Sequence, residues 1–399
     1  MSYRHREKRD DFSGGYNSRD PESMLKESES GSMMNIAVGK RGAISPRPGT
    51  LRYNNQPVSD PLEVNAEHPP VTSIYEYINQ GGLAHFMAFA GESLKVANDA
   101  DGWDLIQDDF TVHSMLEFIT HPINDIALFV NGADGYWETN GVTAEEVVPY
   151  QTTYEGVVNT NGTAVVWVSG DKFDVAWSGG LLMIDDVARA IDEIVDDENI
   201  TIVDDVGVQT GVEYSYITEE SIEIGGSVLP SRPRFIEYHA YRVWLANVEG
   251  FQDRIYFNVD DINGNTMYNY FTSWSWLRAG NVKGEHITGI KSFRGALYVF
   301  TPTSIKAITG DDISNYAILD ISNTVGSIAQ RTIQVVGGNL FFTGIDGAYI
   351  FDGTSTPFKV SQRIDPTFEG LIRHRQSQSC GGVYENKYIV SMPISHGGD

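Results

Sequence analysis

Ile290-Lys-Ser-Phe-Arg-Gly-Ala-Leu-Tyr-Val-Phe-Thr301, followed by Ser304-Ile-Lys-Ala-Ile-Thr-Gly310, is echoed by Ile333-Gln-Val-Val-Gly-Gly-Asn-Leu-Phe-Phe-Thr343, followed by Gly347-Ala-Tyr-Ile-Phe-Asp-Gly353. Each copy reads as strand, glycine turn, aromatic strand, turn, strand, glycine. Leu297 and Leu340 stand 43 positions apart. A four-stranded propeller blade repeats every ~40–45 residues, so the echo points to an all-β chain built as a β-propeller. A stacked pair of β-sandwiches is the structural alternative, and the repeat favours the propeller.

The same alternation runs outward from this pair. Leu83–Phe89, Asp125–Val130, Tyr241–Leu245, Arg254–Phe257 and Asn386–Val390 alternate apolar and polar residues as half-buried strands do. Asn131-Gly132, Asn263-Gly264, Gly337-Gly338, Asp346-Gly347 and Asp352-Gly353 supply turns between strands. Long helical stretches are nearly absent.

Residues 151–228 break the repeat. Within 151–217, 13 acids stand against Lys172 and Arg189. Trp167-Val-Ser-Gly170-Asp-Lys-Phe173-Asp-Val-Ala-Trp177 reads as a packed aromatic motif between two strands. Ile184, Val187, Ile191, Ile194 and Val195 fit one face of a helix over 184–195, whereas Ile200–Val203 and Val212–Tyr216 are strand-like. We read an inserted small β domain over 151–228. The expected order is an extended N-terminal arm over 1–60, first blades over 61–150, the insert, and the remaining blades over 229–399. With arm and insert set aside, about 261 residues remain, enough for roughly six blades.

Charge divides the chain. It carries 28 Lys and Arg against 54 Asp and Glu, a net charge of −26. Residues 1–52 hold ten bases and seven acids, or +3, which leaves 18 bases and 47 acids, or −29, for the rest. Such a body does not seek DNA or an acidic membrane. The arm is rich in Ser, Gly and Arg and has little core of its own. One cysteine, Cys380, excludes a disulfide framework and a multi-cysteine zinc site. No apolar run is long enough for a membrane-spanning helix, and the N-terminus has no apolar core of a signal peptide.

Catalytic spacing is missing. The chain holds no GxxxxGK[ST], no GxGxxG after a strand, no GxSxG and no HExxH. The acidic doublets Asp108-Asp109, Asp185-Asp186, Asp204-Asp205, Asp260-Asp261 and Asp311-Asp312 point to opposite faces of a strand, so they read as turn and strand-end residues. Asp260-Asp261-Ile-Asn-Gly-Asn265 loosely resembles a calcium loop, but its glycine falls too early, and a hairpin turn at Asn263-Gly264 is the expected reading. His374, in Arg373-His-Arg375, belongs to an exposed basic cluster. Cys380 has no histidine nearby in sequence to act as its base. No catalytic residue, no metal site and no cofactor is expected.

Gly14-Gly-Tyr-Asn17, Pro21-Glu-Ser-Met-Leu25, Met34-Asn35 and Lys40-Arg41-Gly-Ala-Ile-Ser-Pro-Arg-Pro48-Gly49 resemble the start of tailed-phage tail and neck proteins that precede a propeller. The insert, with its W-x-x-G-x-x-F-x-x-x-W, resembles a small β module recurrent in them, in which the stretch after the second Trp is strand–turn–strand. Val325-Gly326-Ser-Ile-Ala-Gln-Arg331-Thr-Ile resembles their later blades. The chain stops at Met392-Pro-Ile-Ser-His-Gly-Gly-Asp399, mid-blade, where relatives continue, so the expectation is a ring closed by an N-terminal strand or a shortened version.

The resemblance implies a structural virion protein, a nozzle or hub subunit below the portal and adaptor. It is made in the host cytoplasm and works as a homo-oligomeric ring, with sixfold symmetry taken from the resemblance, through which DNA passes transiently. Its partners are other tail and neck proteins on the adaptor or portal side and in the distal tail, with no membrane insertion. An acidic wall repels phosphates, and a basic arm docks on an acidic neighbour. Arg4, Arg6, Lys8, Arg9, Lys40, Arg41 and Arg47 are the candidate partner-binding residues. The alternatives are a propeller adhesin for a host surface glycan and a propeller glycan hydrolase.

Overall fold

The computed structural model describes residues 15–21, 24–26, 29–30, 36–38, 44–46, 56–58, 69–112, 114–149, 153–178, 180–185, 187–217, 229–260, 266–272, 274–280 and 284–393. The chain is all-β, a β-propeller with an inserted small β domain, and it divides into two compact units. One comprises 1–146, 231–255 and 277–399, and the other 147–230 with 256–276.

The first unit is built of four-stranded antiparallel sheets in simple up-and-down order. The first blade runs Val71–Ile78, Ala84–Ala90, Ser93–Ala97 and Trp103–Gln107, and the second Glu117–His121, Ile126–Val130, Tyr136–Thr139 and Ala144–Glu146. The third begins with Phe235–His239 and Arg242–Val248. The fourth and fifth blades are the two echoing stretches, opening with Gly289–Phe293 and Gln334–Val336. Gly337 and Gly338, at φ 56° and 78°, make the two-residue turn between the first strands of the fifth blade, a conformation that glycine adopts at no steric cost. A sixth sheet has two strands, Cys380–Tyr384 and Lys387–Ser391.

Blades bury their apolar rows against each other. Phe89, Leu94, Phe110 and Phe129 form the core between the first and second blades, with Phe110 edge-on to Phe129 at 5.9 Å. Phe300 and Phe342, 5.3 Å apart, lie at the centre of the core shared by the fourth and fifth. Both rings are fully buried, and each such side chain contributes roughly 1.5–3 kcal/mol by leaving water. Within the arm, Gly15–Tyr16 pairs in parallel with Glu29–Ser30. This knot is tied to the unit by Ser18 N–H donating to Arg363 O at 3.1 Å and by Glu29 and Arg363, 3.4 Å apart.

The second unit holds a closed barrel in the order Thr153–Asn161, Ala164–Gly170, Asn199–Ile202, Val187–Ile194, Leu181–Ile184, Val208–Ile217. The aromatic motif packs into the barrel's core. Phe173 and Trp177 are buried, and Trp177 stacks on Tyr216 at 4.3 Å. Gly170, at φ 94°, lies against Glu155 O and Gly156 Cα, where a Cβ has no room.

The helix expected over 184–195 is absent. Leu181–Ile184 and Val187–Ile194 form an antiparallel hairpin, with Asp185 in the left-handed region at φ 50°. A bulge between Ile191 and Glu193 shifts the alternation by one residue, so that Ile191 and Ile194 sit three apart as they would on a helix. The turn expected at Asn263-Gly264 lies outside the described residues.

Candidate functional site

The innermost strands of the blades surround the propeller axis, and charged side chains meet there. Glu117 opens the innermost strand of the second blade, Glu237 lies mid-strand in the third, and Lys291 mid-strand in the fourth. Arg331 precedes the fifth, on the 3₁₀ turn Gln330–Thr332. They line a cavity of about 530 Å³ together with Thr72, Tyr75 and Gln334.

Arg331 ties three blades. Its Nε donates to Glu117 Oε1 at 2.9 Å, and its Nη2 donates to Ser73 Oγ at 2.8 Å and Leu116 O at 3.1 Å. Its Nη1 donates to Thr72 O. A planar guanidinium suits such a fork of acceptors. The neighbouring Gln330 accepts from Ile290 N–H at 2.7 Å and donates back to Ile290 O at 2.9 Å, which seats this turn on the fourth blade.

Lys291 Nζ pairs with Glu237 Oε2 at 3.0 Å. Burial pushes the Glu237 carboxyl up, and Lys291 beside it pulls it down. Each of the two axial carboxylates thus has a cation at contact distance. Behind them His239 Nδ1 and Ser292 Oγ lie 2.9 Å apart. His121 is fully buried, edge-on to Tyr238 at 5.4 Å, and burial lowers its pKa to about 4.

Exposed acids lie away from the axis, both in the first blades, as at Glu92, Asp101 and Asp104, and on the barrel. Twelve acids of the barrel are described, and all are exposed, including Asp192, Glu193, Asp196, Asp197, Glu198 and Asp204. Among the described residues, no group of three or more His, Cys, Asp or Glu is placed to hold a metal.

The candidate partner-binding residues Arg4, Arg6, Lys8, Arg9, Lys40, Arg41 and Arg47 all lie outside the described residues. Arg373, His374 and Arg375 are exposed on a 3₁₀ turn, and Cys380 is an exposed free thiol. The axial residues escaped the sequence reading. Their signal is a lone charge inside an otherwise apolar first strand, as in Phe235-Ile-Glu237-Tyr and Ile290-Lys291-Ser-Phe.

No family model matches the chain, and no curated protein matches it. Among solved structures, it is similar to Hsv2 of Kluyvelomyces marxianus at 12% identity, covering 82% of this chain and 90% of that one, with TM-score 0.32. It is also similar to virginiamycin B lyase from Staphylococcus aureus with quinupristin, at 12% identity, 84% and 95% coverage and TM-score 0.35. A third is YCF48 from Cyanidioschyzon merolae, at 7% identity, 73% and 87% coverage and TM-score 0.30. None of these three is a phage tail protein, and at such identities and TM-scores they carry nothing about what this chain binds or does. The class its own sheets define is a β-propeller with an inserted barrel.

Proposed function

We propose that the chain is a structural subunit of a tailed-phage tail, at the nozzle or hub below the portal and adaptor, and that it acts without catalysis. The observation that carries this reading is the division of charge. The propeller axis is occupied by the pairs Arg331–Glu117 and Lys291–Glu237, while 13 acids against two bases over 151–217 belong to the barrel, where the described acids stand exposed, and first-blade acids such as Glu92, Asp101 and Asp104 are exposed as well. Paired charges on an axis hold blades together and leave neither carboxylate poised as a base or nucleophile. An acidic surface facing a conduit repels DNA phosphates over the ~8–10 Å reach of a screened charge, so DNA slides without sticking. In this reading the DNA path lies between subunits of a ring and not along the propeller's own axis. The ring's neighbours are other tail and neck proteins, and the N-terminal arm, with its surplus of arginine and lysine, docks on them.

The test is immunogold labelling of particles from the producing host, with antiserum raised against the purified chain. Label at the tail just below the head is expected. Label confined to fibre tips favours the adhesin reading, and particles without label overturn the assignment.

A further inference from the structure

At the end of the axis where the innermost strands begin, three segments are stitched around a cavity of about 270 Å³. Gly132, at φ 79°, donates its N–H to Pro233 O at 2.9 Å. A Cβ at Gly132 would stand 3.2 Å from the Cβ of Arg234, so glycine is what lets the arginine stem pass close. Arg234 N–H donates to Ala246 O at 3.1 Å. Asn247 is held in the left-handed region at φ 55°, and its Nδ2 donates to Ile287 O at 2.7 Å, which anchors the segment carrying His286. A non-glycine residue in that conformation inside a strand is the kind of strain that surrounding structure must enforce, and it clusters at binding sites.

Two side chains lining this mouth are unused. Arg234 and His286 are both exposed, and no hydrogen bond or ion pair engages either side chain among the described residues. The Arg234 guanidinium rests 5.7 Å from the Phe235 ring centroid, which supports it without consuming its donors. Arg331 also lines the mouth, but Glu117 already neutralises it. In a chain with nearly two acids per base, a cation kept free of acids at a cavity is a site for an anion from outside.

We propose that this mouth binds a small organic oxyanion, a carboxylate or phosphate group on a body no larger than a monosaccharide, with Arg234 as its main anchor and His286 as a second donor. The cavity lies near the small end of ligand sites, typically about 300–1,000 Å³, which sets the size limit. The fork of Arg234 matches two oxygens of either group. The inference does not rest on the tail assignment.

The experiment titrates the full chain by calorimetry at low salt with glucuronate, glucose 6-phosphate and glucose. At least one of the two anions should bind with a millimolar or tighter constant while glucose does not, and the anion that binds distinguishes carboxylate from phosphate. Arg234→Gln should weaken that binding by about tenfold or more, with an unchanged thermal transition in the absence of ligand. Arg234→Lys should retain part of it, and His286→Gln should weaken it less. Absence of binding by both anions up to about 10 mM, equal binding of glucose, or undiminished binding by Arg234→Gln overturns the proposal.

Discussion

Arg331 Nε donates to Glu117 Oε1 at 2.9 Å across 214 positions of sequence, and the same guanidinium reaches Thr72 O, Ser73 Oγ and Leu116 O. The first, second and fifth blades are therefore held together at the axis by one side chain. Both partners are about four-fifths buried, at 20% and 19% side-chain exposure, so the pair is screened less than one on the surface.

Arg331→Met should lower unfolding stability by about 3 kcal/mol or more, because it leaves the largely buried Glu117 carboxylate without its cation. Arg331→Lys should recover little, since an ammonium cannot span the fork of acceptors. Adding Glu117→Gln to Arg331→Met should restore part of the loss. Equal stability of the single variant and the parent in urea would show that the axis does not depend on this residue.

His121 links stability to pH. Its folded pKa of about 4 lies below the ordinary 6.5, so the unfolded chain binds a proton that the buried ring refuses. Its contribution is present above about pH 6.5 and is lost as pH falls toward 4. Burial lowers the His239 pKa as well, which adds in the same direction. Urea midpoints should fall across this window, and His121→Gln should flatten the slope even if it lowers stability at pH 7. A parent profile that is flat between pH 6.5 and 4 contradicts the burial of His121.

Gly326 has no space for a side chain, since a Cβ would run into Thr301 O and Ser304 N. Gly326→Ala should cost about 1–3 kcal/mol and lower the propeller's thermal transition, because the backbone must move. An unchanged melting temperature would mean that the junction between the fourth and fifth blades is looser than these contacts imply.

Trp177→Ala should destabilise the barrel by about 3–5 kcal/mol, the cost of emptying a fully buried aromatic site. Loss of the Trp177–Tyr216 stack should appear in near-ultraviolet circular dichroism. Retention of that signal would place another aromatic pair at its origin.

What could be read from the sequence follows from how local each feature is. The fourth and fifth blades were legible because every strand of the echo is adjacent in sequence and each turn needs glycine, as Gly337 and Gly338 do. The barrel's aromatic motif was legible for the same reason. Residues 184–195 of the second hairpin strand and its turn read as helix because the bulge at Ile191–Glu193 disguises a period of two as one of three to four. The axial pairs were invisible because nothing in the chain between residues 117 and 331 signals that a strand start of the second blade meets the turn before the fifth. Arg234 and His286 fall in the same class, since their neighbourhood is made by Gly132, Asn247 and Ile287 from separate blades.

The measurement that tests the central claim most directly is a cryo-electron microscopy reconstruction of the assembled particle at a resolution that traces this chain. The account predicts a closed homo-oligomeric ring below the portal and adaptor, whose lumen is lined by exposed barrel acids such as Asp192, Asp196 and Asp204 and whose individual propeller axes stay closed by Arg331 and Lys291. A monomeric spike, or a lumen lined mainly by Lys and Arg, would contradict it.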